Sequence, residues 1–154
     1  GPGLNDLNFK NSLLARFVGS GVDPSQVSFL DRTNSNSEHL ELYNQIDIAL
    51  DTFPYNGTTT TCEALWMGVP VICLRGSSHV SRVGASLLSR VGLSNLIADT
   101  VPRYIEIAIN LGKNQKSLTF LKKQLRPLVS NSDLCNPRQF AREFERTLEK
   151  LSRS

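Results

Sequence analysis

Four consecutive threonines, Thr58 to Thr61, follow Gly57 and open an apolar run that reaches Met67 at helical spacing. β-Branched residues are mediocre helix formers. A helix that starts on four of them makes sense if their hydroxyls, with the free N–H groups of the first turn, face an anion such as a diphosphate. Gly57 lets that backbone come close to such a group. Glu63 lies about one turn after Thr59, on the same face, where a carboxylate accepts hydrogen bonds from ribose hydroxyls. The plainer alternative is an ordinary threonine cap with Glu63 as a surface carboxylate. Residue types alone leave both readings open.

The other chemistry-bearing residues are less specific. His39 and His79 lie far from any cysteine cluster, so a zinc site is not indicated. Each reads plainly as a surface residue, although His39 is expected to begin a helix beside the same sheet edge. Asp51, at the end of an apolar run, is expected to cap a nearby backbone group rather than perform acid–base chemistry. Cys62 and Cys73 read as small core residues. The chain has no G-x-x-x-x-G-K-[ST] segment and no G-x-G-x-x-G after a strand, which counts against ATP hydrolysis and ordinary dinucleotide binding.

These residues need a scaffold. Leu4, Leu7, Phe9, Leu13, Leu14 and Phe17 predict a helix over 4–19, stopped by Gly19 and Gly21. Asp23-Pro24 predicts a turn, and Val27 to Leu30 a short strand. Ser37 is the expected N-cap of a helix running to about Gln45. Ile46 to Phe53 reads as a strand buried on both faces. Pro54 to Gly57 breaks it, and Thr58 to Met67 forms the next helix, closed by Gly68. Val71 to Leu74 is a buried strand, a Gly/Ser loop covers 76–78, and a helix runs from Val83 to Val91 before Gly92. Asn95 to Ala98 is a last short strand. Helices follow at about 101–111, 117–129 and 137–152, with Pro102 and Pro137 in their first turns. Strands alternating with helices imply an α/β fold: a parallel sheet with helices on both faces and a helical tail over about 101–154.

Composition narrows the class. The 154 residues suit one domain, and 40% hydrophobic with 20% charged residues suits a packed core. Three cysteines (Cys62, Cys73 and Cys135) cannot pair evenly, so a reduced, cytoplasmic protein is expected rather than a disulfide scaffold. No apolar run approaches the roughly 20 residues that cross a bilayer. The net charge of +3 comes mainly from late basic residues interleaved with Glu143, Glu145 and Glu149 and lacking aromatic partners, so no nucleic-acid or membrane partner is expected. Gly1 to Gly3 read as the scar of a cleaved tag. A doubly wound domain that opens on a helix is expected to have lost strands upstream, with some self-association through the open edge.

The stretch D-I-A-L-D-T-F-P-Y-N-G-T-T-T-T-C-E-A-L-W-M-G-V-P-V (47–71) resembles the C-terminal catalytic half of the O-GlcNAc transferase/SPINDLY group, glycosyltransferase family 41. The similarity continues through S-R-V-G-A-S-L-L (81–88) and back to E-H-L-E-L-Y (38–43), covering about residues 20–150. It is nearest the bacterial branch, whose members carry tetratricopeptide repeats upstream. The resemblance implies the Rossmann-like C-terminal lobe of a GT-B enzyme that needs no metal. The family's His-Thr-Thr against the sugar-nucleotide diphosphate falls on Thr58, Thr59 and Thr60, so the two threonines carry over and the histidine does not. Its ribose-holding acid matches Glu63, with Glu for Asp, and its base-packing histidine matches His39. Two basic positions near the nucleotide in the animal enzyme fall on Asn36 and Leu42.

The family's phosphate-binding lysine, its general base and its protein-holding repeats are expected upstream of Gly1. No catalytic residue is assigned here, and residues 4–154 alone are expected to be inactive. The implied reaction moves GlcNAc from UDP-GlcNAc to a Ser or Thr hydroxyl of a protein. Transfer of fucose from GDP-fucose, as in the SPINDLY branch, or of glucose from UDP-glucose to nitrogen, is the alternative within the family. A non-catalytic interaction module is the alternative outside it.

Overall fold

A computed structural model of the chain describes residues 6–153. The tag scar at Gly1 to Gly3 and the helix start at Leu4 lie outside the described residues. The chain divides between His39 and Leu40 into two compact units.

In the first unit, α1 spans Leu7–Gly19. Asp6 caps it, its Oδ1 accepting from the N–H groups of Asn8 (2.9 Å) and Phe9 (3.4 Å). Gly21 leaves the helix at a φ of 84°, a value that favours glycine. Asp23 caps a 3-10 turn at Pro24–Gln26, as the Asp-Pro pair predicts. Val27 to Leu30 are not a strand. A segment of four residues, three of them apolar, makes a strand only beside a partner, and no described segment pairs with it. The second helix, α2, spans Asn36–Leu42 and carries the chain into the second unit. Ser35, not Ser37, caps it, accepting from Glu38 N–H at 3.2 Å, while Glu38 reaches back to Asn34 N–H at 2.9 Å. This near-reciprocal pair starts the helix earlier than expected. It also puts His39 inside α2 rather than at its start, and a 3-10 turn at Tyr43–Gln45 ends the segment.

The second unit is built on a parallel sheet in the order β1-β2-β3. β1 (Ala49–Leu50) aligns with Val71–Ile72 of β2 (Val71–Leu74), and Cys73–Leu74 with β3 (Ile97–Ala98). Between them run α3 (Thr59–Trp66) and α4 (Val83–Arg90), followed by α5 (Val101–Lys113), α6 (Gln115–Ser130) and α7 (Pro137–Ser152). All four β2 side chains are buried, and α3, α4 and α5 pack against this strand. β1 departs from its expected burial on both faces: Leu50 is 56% exposed and Phe53 54%. As the outer described strand, β1 is paired on one side only, so an apolar sequence does not by itself cover it.

The core holds Leu65, Val69, Ile72, Cys73, Leu88 and Leu125, with α6 closing over α3 and α5. Trp66 at the end of α3 lies under the Arg126 guanidinium of α6, 4.9 Å from the ring centre. Gly68, at φ 82°, turns the chain from α3 into β2, and a Cβ there would sit 3.1 Å from Lys122 O. All three cysteines are free thiols; Cys73 is buried as expected, Cys62 partly buried and Cys135 exposed. No helix among the described residues is long and apolar enough to cross a membrane.

Candidate functional site

The chain leaves β1 at Asp51, whose N–H donates to Ile72 O (2.9 Å), so the ladder runs one residue past the strand. Tyr104 of α5 donates to Asp51 O at 3.0 Å. Asp51 Oδ1 accepts the Gly57 N–H at 2.8 Å, which is the backbone cap expected of it. The segment between is pinned by Asn56, which is 2% exposed. Its Nδ2 donates to Thr52 O (3.0 Å), its Oδ1 accepts from Gly84 N–H (3.3 Å), and its own N–H donates to Val80 O (2.9 Å). Asn56 thereby ties the turn before α3 to the segment that begins α4.

Gly57 allows this close approach. A Cβ there would strike Thr60 Oγ1 and lie 3.2 Å from Thr61 Oγ1. The four threonines then divide. Thr61 is buried and its hydroxyl donates back to Gly57 O at 3.0 Å, an internal structural bond. Thr58, Thr59 and Thr60 are exposed. Thr58 precedes the helix without capping it through its side chain, and among the described residues none of these three hydroxyls has a hydrogen-bond partner. The first helical bond runs from Cys62 N–H to Thr58 O (3.1 Å), so the N–H groups of Thr59 to Thr61 stand ahead of the ladder. An ordinary threonine cap is therefore not what the sequence builds here.

Glu63 is partly buried, not a free surface carboxylate: Tyr43 donates its hydroxyl to Glu63 Oε2 at 3.2 Å and reaches Thr60 O at 3.4 Å. Burial, and then the Glu63 charge, push the Tyr43 hydroxyl up to about 12, so it stays a donor at every physiological pH. The structure thus brings Gly57, Thr58, Thr59, Thr60 and Glu63 together at the start of α3, while His39 belongs to the first unit. His79 is exposed. Among the described residues no group of three His, Cys, Asp or Glu side chains is placed to hold a metal ion.

Behind the site, Asp51 Oδ2 is buried and has no hydrogen-bond partner among the described residues. A Cβ on Gly84 would strike this oxygen and lie 2.8 Å from Cys73 Sγ, so the glycine makes room for the carboxylate. Burial raises the Asp51 carboxyl above its ordinary 3.8, outweighing its bond from Gly57, and burial beside Asp51 pushes the Cys73 thiol up to about 12. A carboxyl held higher in the folded state binds its proton more tightly there. Its contribution to stability is complete below 3.8 and is lost as pH rises through the folded value. Asp51→Asn keeps an oxygen for Gly57 and removes the charge. The stability of the variant relative to the parent is therefore expected to rise as pH increases from about 3.8, in denaturant melts across pH. A difference independent of pH would show an ordinary carboxylate.

With this geometry in place, comparisons with known proteins become informative. The family described as Glycosyl transferase family 41 matches residues 9–144. The chain belongs to family 41. A family-41 relative in tomato, named a probable UDP-N-acetylglucosamine–peptide N-acetylglucosaminyltransferase SPINDLY, is 47% identical over 125 residues, 81% of this chain and 13% of the relative. A Caenorhabditis elegans UDP-N-acetylglucosamine–peptide N-acetylglucosaminyltransferase is 31% identical over 134 residues, 87% of this chain and 12% of that one. A solved mutant of the Thermobaculum terrenum O-GlcNAc transferase superposes with a TM-score of 0.87 at 36% identity, covering 96% of this chain and 28% of that one. The Rossmann-like family-41 lobe with its helical tail is thus the fold of this chain. The chain spans about an eighth of the length of the curated relatives it matches.

Three residues at this candidate site carry roles that residue type alone does not assign. Tyr43 closes the E-H-L-E-L-Y block and carries no role of its own in the sequence. Asn56 reads as a turn residue, and Gly84 as a helical glycine. Tyr43 acts on Thr60, Asn56 on Gly84 and Gly84 on Asp51, 17 to 33 positions away, so no local spacing reveals these roles.

Proposed function

We propose that this chain is the nucleotide-sugar-binding half of a protein O-glycosyltransferase that moves GlcNAc from UDP-GlcNAc to a Ser or Thr hydroxyl of a protein, with inversion and without a metal ion. The observation that carries the reading is the set of unpartnered hydroxyls on Thr58, Thr59 and Thr60, on a helix start held by Asp51 and Asn56. As the bond between sugar and diphosphate breaks, negative charge grows on the departing phosphate. Donors already aimed at it stabilise that charge without rearranging, and one such donor is commonly worth about 2.7–4 kcal/mol. Glu63, steadied by Tyr43, takes the ribose hydroxyls, and His39 packs on the base. The relatives' names, which specify a peptide acceptor and UDP-N-acetylglucosamine, support this assignment.

The same proposal includes a soluble cytoplasmic parent with tetratricopeptide repeats that hold the acceptor, no nucleic-acid or membrane partner, and self-association through the outer edge of β1. GDP-fucose stays the second donor that the resemblance to the SPINDLY branch implies, although the SPINDLY-named relative at 47% identity is itself named for UDP-N-acetylglucosamine. A non-catalytic module has no use for three unspent hydroxyls at a braced helix start.

Amide NMR during titration with UDP, UDP-GlcNAc and GDP tests the reading. UDP at millimolar concentration is expected to shift residues 56–63 and His39 selectively. Stronger shifts with GDP would move the donor to GDP-fucose, and shifts elsewhere or nowhere would overturn the site.

A further inference from the structure

A cavity of about 610 Å³ opens on the α4 side of Thr58, lined by Arg75, His79, Arg82, Ser86 and Ser89 among others. Its volume is in the range of small-molecule sites. Its charge is one-sided, because no carboxylate lines it. Arg75 follows β2 directly, Thr58 precedes α3 and Arg82 precedes α4. All three therefore stand beyond the carboxyl ends of parallel strands, where open α/β sheets bind ligands.

The two arginines differ. Arg75 is held by Asp99, with Nε at 2.7 Å and Nη2 at 2.6 Å from its Oδ1. Arg82 bonds through its backbone, its N–H donating to His79 O at 3.0 Å and its carbonyl accepting from Ser86 N–H at 2.9 Å, and among the described residues no acidic side chain pairs with its guanidinium. Ser78 and Ser81 brace the turn that carries it, each satisfying the other across a capping box. An unpaired guanidinium on a braced turn, facing a cavity shared with an unspent threonine hydroxyl, suits a phosphate, which accepts two parallel N–H bonds from arginine.

We propose that this cavity is an anion subsite that receives the distal phosphate of the nucleotide sugar, with Arg82 as its binding charge and Thr58 as its link to the diphosphate site. This rests on the nucleotide-binding reading above. Thr58 is neutral, so Arg82 supplies the positive charge on its side of the cavity.

The test titrates the chain with UDP, uridine and inorganic pyrophosphate, following backbone amides, and repeats it on Arg82→Gln and Arg82→Lys. UDP and pyrophosphate are expected to shift His79, Arg82 and Ser86, and uridine to leave them unmoved. Arg82→Gln is expected to weaken UDP by about tenfold or more without changing uridine, with Arg82→Lys between the two. Because Arg82 is exposed, neither variant should alter the melting temperature. Unchanged UDP affinity in Arg82→Gln, or an equal loss for uridine, would overturn the subsite. UDP shifts at 57–63 without shifts at His79, Arg82 and Ser86 would overturn it while leaving the nucleotide reading intact. Pyrophosphate shifts at Arg82 with no nucleotide effect at Glu63 would do the reverse, and silence at both places would overturn both.

Discussion

Replacing Asn56 with alanine is expected to destabilise the chain by about 3 kcal/mol, because one buried and one part-buried backbone group lose their partners at about 1–3 kcal/mol each and a small cavity adds to the loss. Thr52 O loses its donor and Gly84 N–H its acceptor, both from one amide that is 2% exposed. Cys73 Sγ, 3.7 Å from Asn56 Oδ1, loses a weak acceptor as well. The effect reaches beyond stability, since this amide joins the turn before α3 to the start of α4. Losing it leaves Gly57 held by Asp51 alone on that side, and UDP affinity should fall together with the urea midpoint. Asn56→Asp keeps the acceptor for Gly84 but turns the donor to Thr52 into a second acceptor, so it should also destabilise. The measurement is urea denaturation with the slope checked for constancy. A loss below about 1 kcal/mol would mean that water replaces the amide and that the turn is not braced from within.

Thr59→Val is the second large effect, and it runs the other way. The hydroxyl is exposed and has no hydrogen-bond partner among the described residues, and valine has nearly the same shape. The urea midpoint should therefore stay within the roughly 0.5 kcal/mol of an ordinary surface change. UDP affinity should fall about tenfold, the usual consequence of removing one hydrogen bond to a charged group. Glu63→Ala makes the contrast. It should weaken UDP too, but it also strips Tyr43 of its acceptor at 3.2 Å, so about 1 kcal/mol of stability should go with it. Paired calorimetry and denaturation on both variants separate the roles. If Thr59→Val costs more stability than affinity, the threonines serve the helix and not a ligand.

The order of elements in the second unit was legible in the sequence because its signals are local. Gly68 and Gly92 mark helix ends that need positive φ, Pro102 and Pro137 sit in first turns, and Val71 to Leu74 is apolar enough to be buried on both faces. Misreadings occurred where the outcome depends on a distant neighbour. Val27 to Leu30 has a strand's composition but no described partner, and Leu50 has a core residue's chemistry on a strand paired on one side only. Ser35 and Ser37 are equivalent by residue type, and it is the reach of Glu38 to Asn34 that accompanies the choice of Ser35.

The candidate site divides along the same line. Local pattern is enough to show that Gly57 and four threonines open a helix after a strand, and that Glu63 follows on the same face, since helical periodicity settles such positions within a few residues. Packing of distant segments is what turns Thr61 inward while Thr58, Thr59 and Thr60 remain unspent, gives Glu63 to Tyr43, and lets Asn56 and Asp51 hold the turn. It also sets Arg82 on the cavity that Thr58 lines. The physical reason is distance along the chain: a hydrogen bond needs its partner within about 3 Å, and residues dozens of positions apart meet only after strands, helices and glycines without a side chain have brought their backbones together.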